Sequence, residues 1–278
     1  MSRYHRLGKI PKKRHTTFKK EDGSLYQEEL FGTAGFAGMS SLIYHLYPPT
    51  VVSEIKKVKD LTPKIAEEKN MKALSFKGFS LQPEADFLES RKILFVNNDL
   101  KIGLAAPKAF SKDYFYRNGD SDEMLFIHVG SGTLRTMYGN LDFKYGDYLI
   151  IPKGTTYQID FDNENNRILF IESKGAITTP NRYRNNYGQL LEHSPFCERD
   201  FRLPENLQTH DEKGKFKVLS KKQDVLWEYT HENHPFDVVG WDGFNYPYAF
   251  SIHDFEPDRK STRLNSSHPS RSRMPSSA

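Results

Sequence analysis

Gly146-Asp147-Tyr148-Leu149-Ile150-Ile151-Pro152-Lys153-Gly154-Thr155-Thr156-Tyr157 decides the fold of this 278-residue chain. Gly146-Asp147 supplies turn chemistry, Tyr148–Ile151 is an uninterrupted β-prone apolar run, and Pro152 to Gly154 redirects the chain tightly. An apolar run this short, bounded by turns on both sides, reads as a buried strand. Similar runs lie on either side, at Ile93–Val96, Ile102–Ala106, Met124–Val129, Thr133–Tyr138, Tyr157–Phe161 and Ile168–Glu172. Asn97-Asn98-Asp99, Gly130-Ser131-Gly132, Gly139-Asn140 and Asp162–Asn165 separate them as turns. Short strands at spacings of about 8–12 residues predict a mainly β fold, an antiparallel sandwich or barrel. Helix is expected only in short pieces: over Ser53–Asn70, interrupted by Pro63, and over Tyr183–Glu192.

The last twenty-one residues, Asp258–Ala278, read differently. They are rich in Arg and Ser and have neither a helical nor a strand period. Asp258–His268 and Ser272–Ala278 back-translate to parts of a short-read sequencing adapter. The tail is therefore expected to be non-native and disordered, with natural sequence replaced after Pro257. It carries five of the 40 Lys/Arg and one of the 36 Asp/Glu, so 35 of each remain in 1–257. That balance removes the charge argument for a nucleic-acid or membrane-surface partner. The first twenty residues hold eight Lys/Arg and no acid, and read as a solvated cationic arm. One cysteine, Cys197, excludes an internal disulfide and fits a reducing, cytoplasmic setting. It lies in a loop and reads as structural. No apolar run is long enough for a transmembrane helix.

The deciding stretch has the form G-x5-P-x-G-x2-Tyr and resembles the second cupin motif. A metal-binding cupin carries His where this chain has Tyr157. The first motif, H-x-H-x(3,4)-E-x6-G, is matched in its second half by Glu123 and Gly130, while its two His positions fall on Tyr116 and Asn118. One carboxylate with two tyrosines and an asparagine is a poor donor set for Fe(II) or Zn(II). The expected architecture is a jelly-roll cupin with degenerate ligand positions. Its organisation reads as an N-terminal arm and β-rich region over 1–107, the degenerate cupin core over 108–175, and a loop-rich segment over 176–257, before the tail at 258–278.

Other chemistry-bearing residues are scattered. His231-Glu232-Asn233-His234, followed by Asp237, offers two imidazoles and an acid, the composition of a non-haem iron triad. With Pro235 inside and no register to aim both rings at one point, they read as surface or hydrogen-bonding histidines. His128, beside Phe126 and Ile127, reads as a structural histidine. The aromatic cluster Trp241–Tyr248 either lines a pocket for a flat ligand or packs between two β layers.

Leu25–Phe36, Ser41–His45, the cupin-like core and, above all, Pro235-Phe236-Asp237-Val238-Val239-Gly240-Trp241-Asp242-Gly243-Phe244-Asn245-Tyr246-Pro247-Tyr248 resemble the homogentisate 1,2-dioxygenase family, over nearly all of 1–257. The resemblance implies two jelly-roll halves, cytoplasmic location, a homo-oligomer, and ring opening of a small aromatic substrate by O2 to give maleylacetoacetate in tyrosine and phenylalanine catabolism. It places Fe(II), its two His and one Glu, and the acid/base His in the C-terminal half. It therefore implies no catalytic, cofactor-binding or metal residue, and no bound Fe(II), in this chain, which should be inactive alone and expose apolar surface that the other half would cover. The residues themselves leave open a metal-free cupin module that binds a small molecule or a regulatory partner.

Overall fold

The computed structural model describes residues 3–67, 73–110 and 112–255; the expectation for 258–278 falls outside them. The described strands begin with β1 (His5–Gly8), β2 (Gln27–Ala34), β3 (Ala37–His45), β4 (Glu54–Asp60), β5 (Glu84–Asp86), β6 (Lys92–Val96), β7 (Leu100–Ala105) and β8 (Pro107–Ala109). The regular middle is β9 (Phe115–Asn118), β10 (Asp122–Val129), β11 (Gly132–Thr136), β12 (Gly139–Phe143), β13 (Asp147–Ile151), β14 (Thr156–Phe161) and β15 (Arg167–Ser173). β16 (Phe201–Arg202), β17 (Lys213–Lys222), β18 (Val225–Asn233), β19 (Val238–Gly243) and β20 (Tyr248–Ser251) follow. Helix among the described residues is confined to four single 3-10 turns, and none is long and apolar enough to cross a membrane.

Two seven-stranded sheets, ordered β16-β20-β13-β10-β15-β7-β6 and β12-β11-β14-β9-β17-β18-β4, face each other as a sandwich. Leu125, Leu149 and Phe170 of the first sheet and Leu134, Tyr157 and Ile159 of the second share one core, each at most 2% exposed. Each such side chain contributes about 1.5–3 kcal/mol by leaving water. A third sheet, β1-β19-β3-β2, covers the outer face of the second through Ile43, Val238 and Trp241 packed on Phe115, Tyr138 and Val218. The aromatic cluster at 241–248 is thus core except for the exposed Phe244: Trp241 is fully buried and its Nε1 donates to the Tyr138 carbonyl at 2.8 Å.

The deciding stretch folds as its residue types dictate. Gly146 and Gly154 sit at φ +87° and +89°, where a Cβ would be strained, and Thr155 N donates to Pro152 O at 3.1 Å. Between these turns β13 is inserted between β10 and β20. Leu149 and Ile151 enter the main core, while Ile150 packs with Phe201 and Tyr248 on the opposite face. Both faces are covered, so the run is apolar without alternation. Elsewhere the strand period shows clearly: in β15, Ile168, Phe170 and Glu172 are the buried residues, and in β10, Glu123, Leu125 and Ile127 point with them. Two carboxylates are thereby carried into the sandwich.

Three expectations are corrected. The helix predicted over Ser53–Asn70 is instead the strand β4, paired antiparallel with β18 at the sheet edge; residues 68–70 lie outside the described set. Backbone bonds from Ser53 N to Thr230 O and from Leu61 N to Asp224 O anchor both ends, and the lysines protect an exposed edge. The helix predicted over Tyr183–Glu192 is a 3-10 turn at Asn181–Tyr183 followed by a loop. There Asn185 Oδ1 accepts from the N–H groups of Tyr187 and Gln189, and Gly188 takes φ +83°, local bonds that compete with a helix. The N-terminal arm is not wholly solvated: β1 pairs with β19.

Gly103 in β7 lies opposite Phe170, where a Cβ would stand 2.4 Å from the ring Cζ and 2.3 Å from Lys92 O. Gly103→Ala is expected to destabilise the fold by about 1–3 kcal/mol, read as a lowered unfolding temperature. On the outer face of the first sheet, a groove of about 550 Å³ is lined by Phe76, Phe79, Phe95, Leu104 and Phe126, with Phe79 66% and Phe95 51% exposed. An anilinonaphthalene dye should bind there, and Phe79→Ser with Phe95→Ser should reduce its fluorescence.

Candidate functional site

Two polar clusters stand out, one inside the sandwich and one between the second and third sheets. The inner cluster contains the cupin ligand positions. Glu123 of β10 and Glu172 of β15 are bridged by Arg91, whose Nη1 donates to Glu123 Oε1 at 2.7 Å and Nη2 to Glu172 Oε1 at 3.0 Å. Lys221 of β17, from the facing sheet, donates to Glu172 Oε2. Tyr157 Oη donates to Glu123 Oε2 at 2.8 Å, and its ring meets Tyr116 edge-on at 5.4 Å. The fourth position, Asn118, turns away; its Oδ1 accepts from the N–H groups of Asp120 and Ser121.

Burial would push the Arg91 charge off the guanidinium, but Glu123 and Glu172 outweigh it and hold the group charged. Burial likewise opposes the Glu172 charge, and Arg91 and Lys221 overcome that opposition, leaving its carboxyl below the ordinary range. Burial, reinforced by the Glu123 charge, raises the Tyr116 and Tyr157 phenols far above 10, so both stay protonated at neutral pH. Fe(II) does not fit this donor set: Glu123 has both oxygens engaged, both phenols hold their protons, and Asn118 caps a turn.

The outer cluster gathers residues far apart in sequence. His45 of β3 is 3% exposed. Its Nδ1 lies 2.7 Å from Asp237 Oδ1 and its Nε2 lies 3.1 Å from Glu29 Oε2 in β2. Burial works against the charge, but these two carboxylates prevail and raise the imidazole to about 9. Asp237 Oδ2 also accepts from Tyr47 N at 2.9 Å. His231 and His234 flank the same cleft together with Arg117. Both are pushed down to about 4, chiefly by burial, with Arg117 adding to the effect on His231 and His210 on His234.

The motif His231–Asp237 is thus gathered around one cleft, but not as a ligand triad. Asp237 is committed to His45 and Tyr47, His234 Nδ1 accepts from Phe236 N at 3.0 Å, and the His234 ring stacks on His210 at 4.0 Å. These histidines are buried or half-buried rather than on the surface. Among the described residues no group of three or more His, Cys, Asp or Glu could hold a metal ion. The enclosed volume is about 60 Å³, far below the roughly 300–1,000 Å³ of small-molecule sites. His128 packs against the rings of Phe79, Phe126 and Tyr145. Cys197 is unpaired and opens the turn at Glu198–Asp200.

Sequence reasoning missed Arg91, Lys221 and His45. Glu172 carried a signal, a charge at an inward position of an apolar strand. Lys221, in Lys217-Val218-Leu219-Ser220-Lys221-Lys222, cannot be told from its solvated neighbours by pattern. His45 lies in Ser41–His45 and Asp237 in Pro235–Tyr248, and no local pattern in either segment pairs one with the other.

The pH dependence follows from these shifts. His45 is raised above its ordinary 6.5, so its contribution is complete below that value and fades as pH rises through about 9. His231 and His234 are lowered, so theirs is present above 6.5 and fades as pH falls toward about 4. The unfolding temperature should therefore peak near pH 6.5, and His45→Gln should flatten the alkaline limb, measured by thermal melts across pH.

Residues 5–252 match the family model described as homogentisate 1,2-dioxygenase N-terminal. The chain is 42% identical over 257 residues to the "Putative dioxygenase SSO1533" of Saccharolobus solfataricus, covering 91% of this chain and 65% of that protein. It is 28% identical over 186 residues to the homogentisate 1,2-dioxygenase of Nitrobacter hamburgensis, covering 63% of this chain and 40% of the other. This chain thus spans less than two thirds of either relative. A cupin-2 domain protein from Shewanella frigidimarina is similar at a TM-score of 0.29 and 23% identity, over 34% of this chain and 87% of that one.

Proposed function

From a chain that belongs to the homogentisate 1,2-dioxygenase N-terminal family, we propose the half of a ring-opening dioxygenase that does not hold iron, with the Fe(II)-binding half outside these 278 residues. The observation that carries this reading is the Arg91 bridge across Glu123 and Glu172 where a metal-binding cupin would coordinate its ion. The greater length of both relatives supports it. On this reading the complete enzyme is a cytoplasmic homo-oligomer of tyrosine and phenylalanine catabolism. It cleaves homogentisate with O2 to maleylacetoacetate.

Ground-state O2 reacts slowly with a singlet aromatic ring unless a centre relays electrons between them. The inner cluster offers ionic hydrogen bonds, protonated phenols and no open coordination position. This half therefore contributes scaffold and packing surface rather than chemistry. The groove beside Phe79 and Phe95 is the kind of apolar surface that a second half would cover.

Purified 1–278 given Fe(II) and homogentisate in an oxygen electrode is expected to show no uptake above the metal blank. The product of an unfragmented clone of the same gene should show it. Turnover by 1–278 alone would refute the division of labour. A stop codon soon after residue 257 in that clone would favour the metal-free binding module instead.

A further inference from the structure

We infer that the centre of the sandwich is a planar-cation slot whose resident cation is the chain's own Arg91, a guanidinium standing where the cupin pattern would put a metal. Four charges meet there, Arg91 and Lys221 against Glu123 and Glu172, all nearly excluded from water. Each carboxylate has one oxygen already taken, Glu123 by the Tyr157 hydroxyl and Glu172 by Lys221. Each presents its remaining oxygen to Arg91, one to Nη1 and one to Nη2. Two single acceptors set to receive parallel N–H groups match a guanidinium, not a metal ion that needs several converging oxygens.

The flat face is matched as well. The Arg91 Cζ lies 4.2 Å from the centroid of the Phe170 ring and 5.4 Å from that of Phe87. Such a face attracts a delocalised cation and offers no lone pair to a metal. Phe170 is held from behind by Gly103, whose missing side chain leaves room for the ring. The slot thus has an aromatic floor, two acceptor oxygens and a charge deficit of one when Arg91 is removed. The ligand class it would accept is a small planar monocation. The assignment holds whether or not the chain belongs to a ring-opening enzyme.

Thermal unfolding of Arg91→Ala tests it. Loss of one partner from a buried network should lower the unfolding temperature by about 10 °C. Guanidinium chloride at millimolar concentration, far below denaturing levels, should restore part of that loss saturably. NaCl or MnCl2 at equal ionic strength should not, and wild type should gain nothing. Arg91→Ala combined with Glu123→Gln, which rebalances the charge, should be more stable than Arg91→Ala alone. That comparison by soluble yield still decides the matter if the single variant does not fold. The assignment is overturned by an Arg91→Ala protein as stable as wild type, by equal responses to sodium and guanidinium, by rescue with Mn2+, or by a double variant weaker than the single.

Discussion

The buried bridge from Arg91 to Glu123 and Glu172 is the constraint on which the rest of the sandwich depends. It joins neighbouring strands β10 and β15 within one sheet, and through Lys221 it ties that sheet to the facing one. Buried ion pairs give little net stability over apolar residues of the same shape, yet breaking one is severe. Their value here is specificity. A one-residue slip of β15 would turn Glu172 outward and Leu169 inward, leaving Arg91 charged and half unpaired. The apolar pairs of the core tolerate small changes of register or rotamer; this network tolerates none.

A second polar knot does similar work one layer out. His45, Asp237 and Glu29 join β2, β3 and the approach to β19, and the opposed shifts of His45 and His231 show two environments in one cleft. Near the carboxylates an imidazole is held charged; burial, with Arg117 adding to it, keeps His231 neutral. The two knots lie on opposite sides of the second sheet; in the outer one His45, Asp237 and Glu29 are spent on one another, while the buried His231 Nε2 has no hydrogen-bond partner.

Much of the fold was legible. Strands β6, β7, β10, β11, β13, β14 and β15 follow from short apolar runs between Gly/Asn/Asp turns, since each is a local signal. The helix expected over 53–70 failed because an edge strand needs no apolar face: Lys56, Lys57 and Lys59 satisfy solvent while β18 satisfies the backbone. β12 was concealed because Gly139-Asn140, read as a turn, are its first two residues; the hairpin turn is Met137-Tyr138. Of the inner cluster, Glu123, Tyr116, Asn118 and Tyr157 were found by spacing, but the residue that decides their chemistry was not. Arg91 lies in a turn region outside any motif, and only the folded chain brings it to Glu123, 32 positions later.

The pairing of β1 with β19 has a kinetic meaning. His5 sits opposite Gly243 and Gly8 opposite Gly240, while β3 pairs with the same strand from its other side. During synthesis at about 5–20 residues per second, the amino-terminal strands emerge well before the strand that must lie between them. For roughly 10–40 s the β2–β3 hairpin has an unfilled edge and an uncovered apolar face. The ribosome-bound chain is thus most vulnerable early, and Arg14, which pairs with Asp242 only once β19 arrives, marks the moment at which that interval closes.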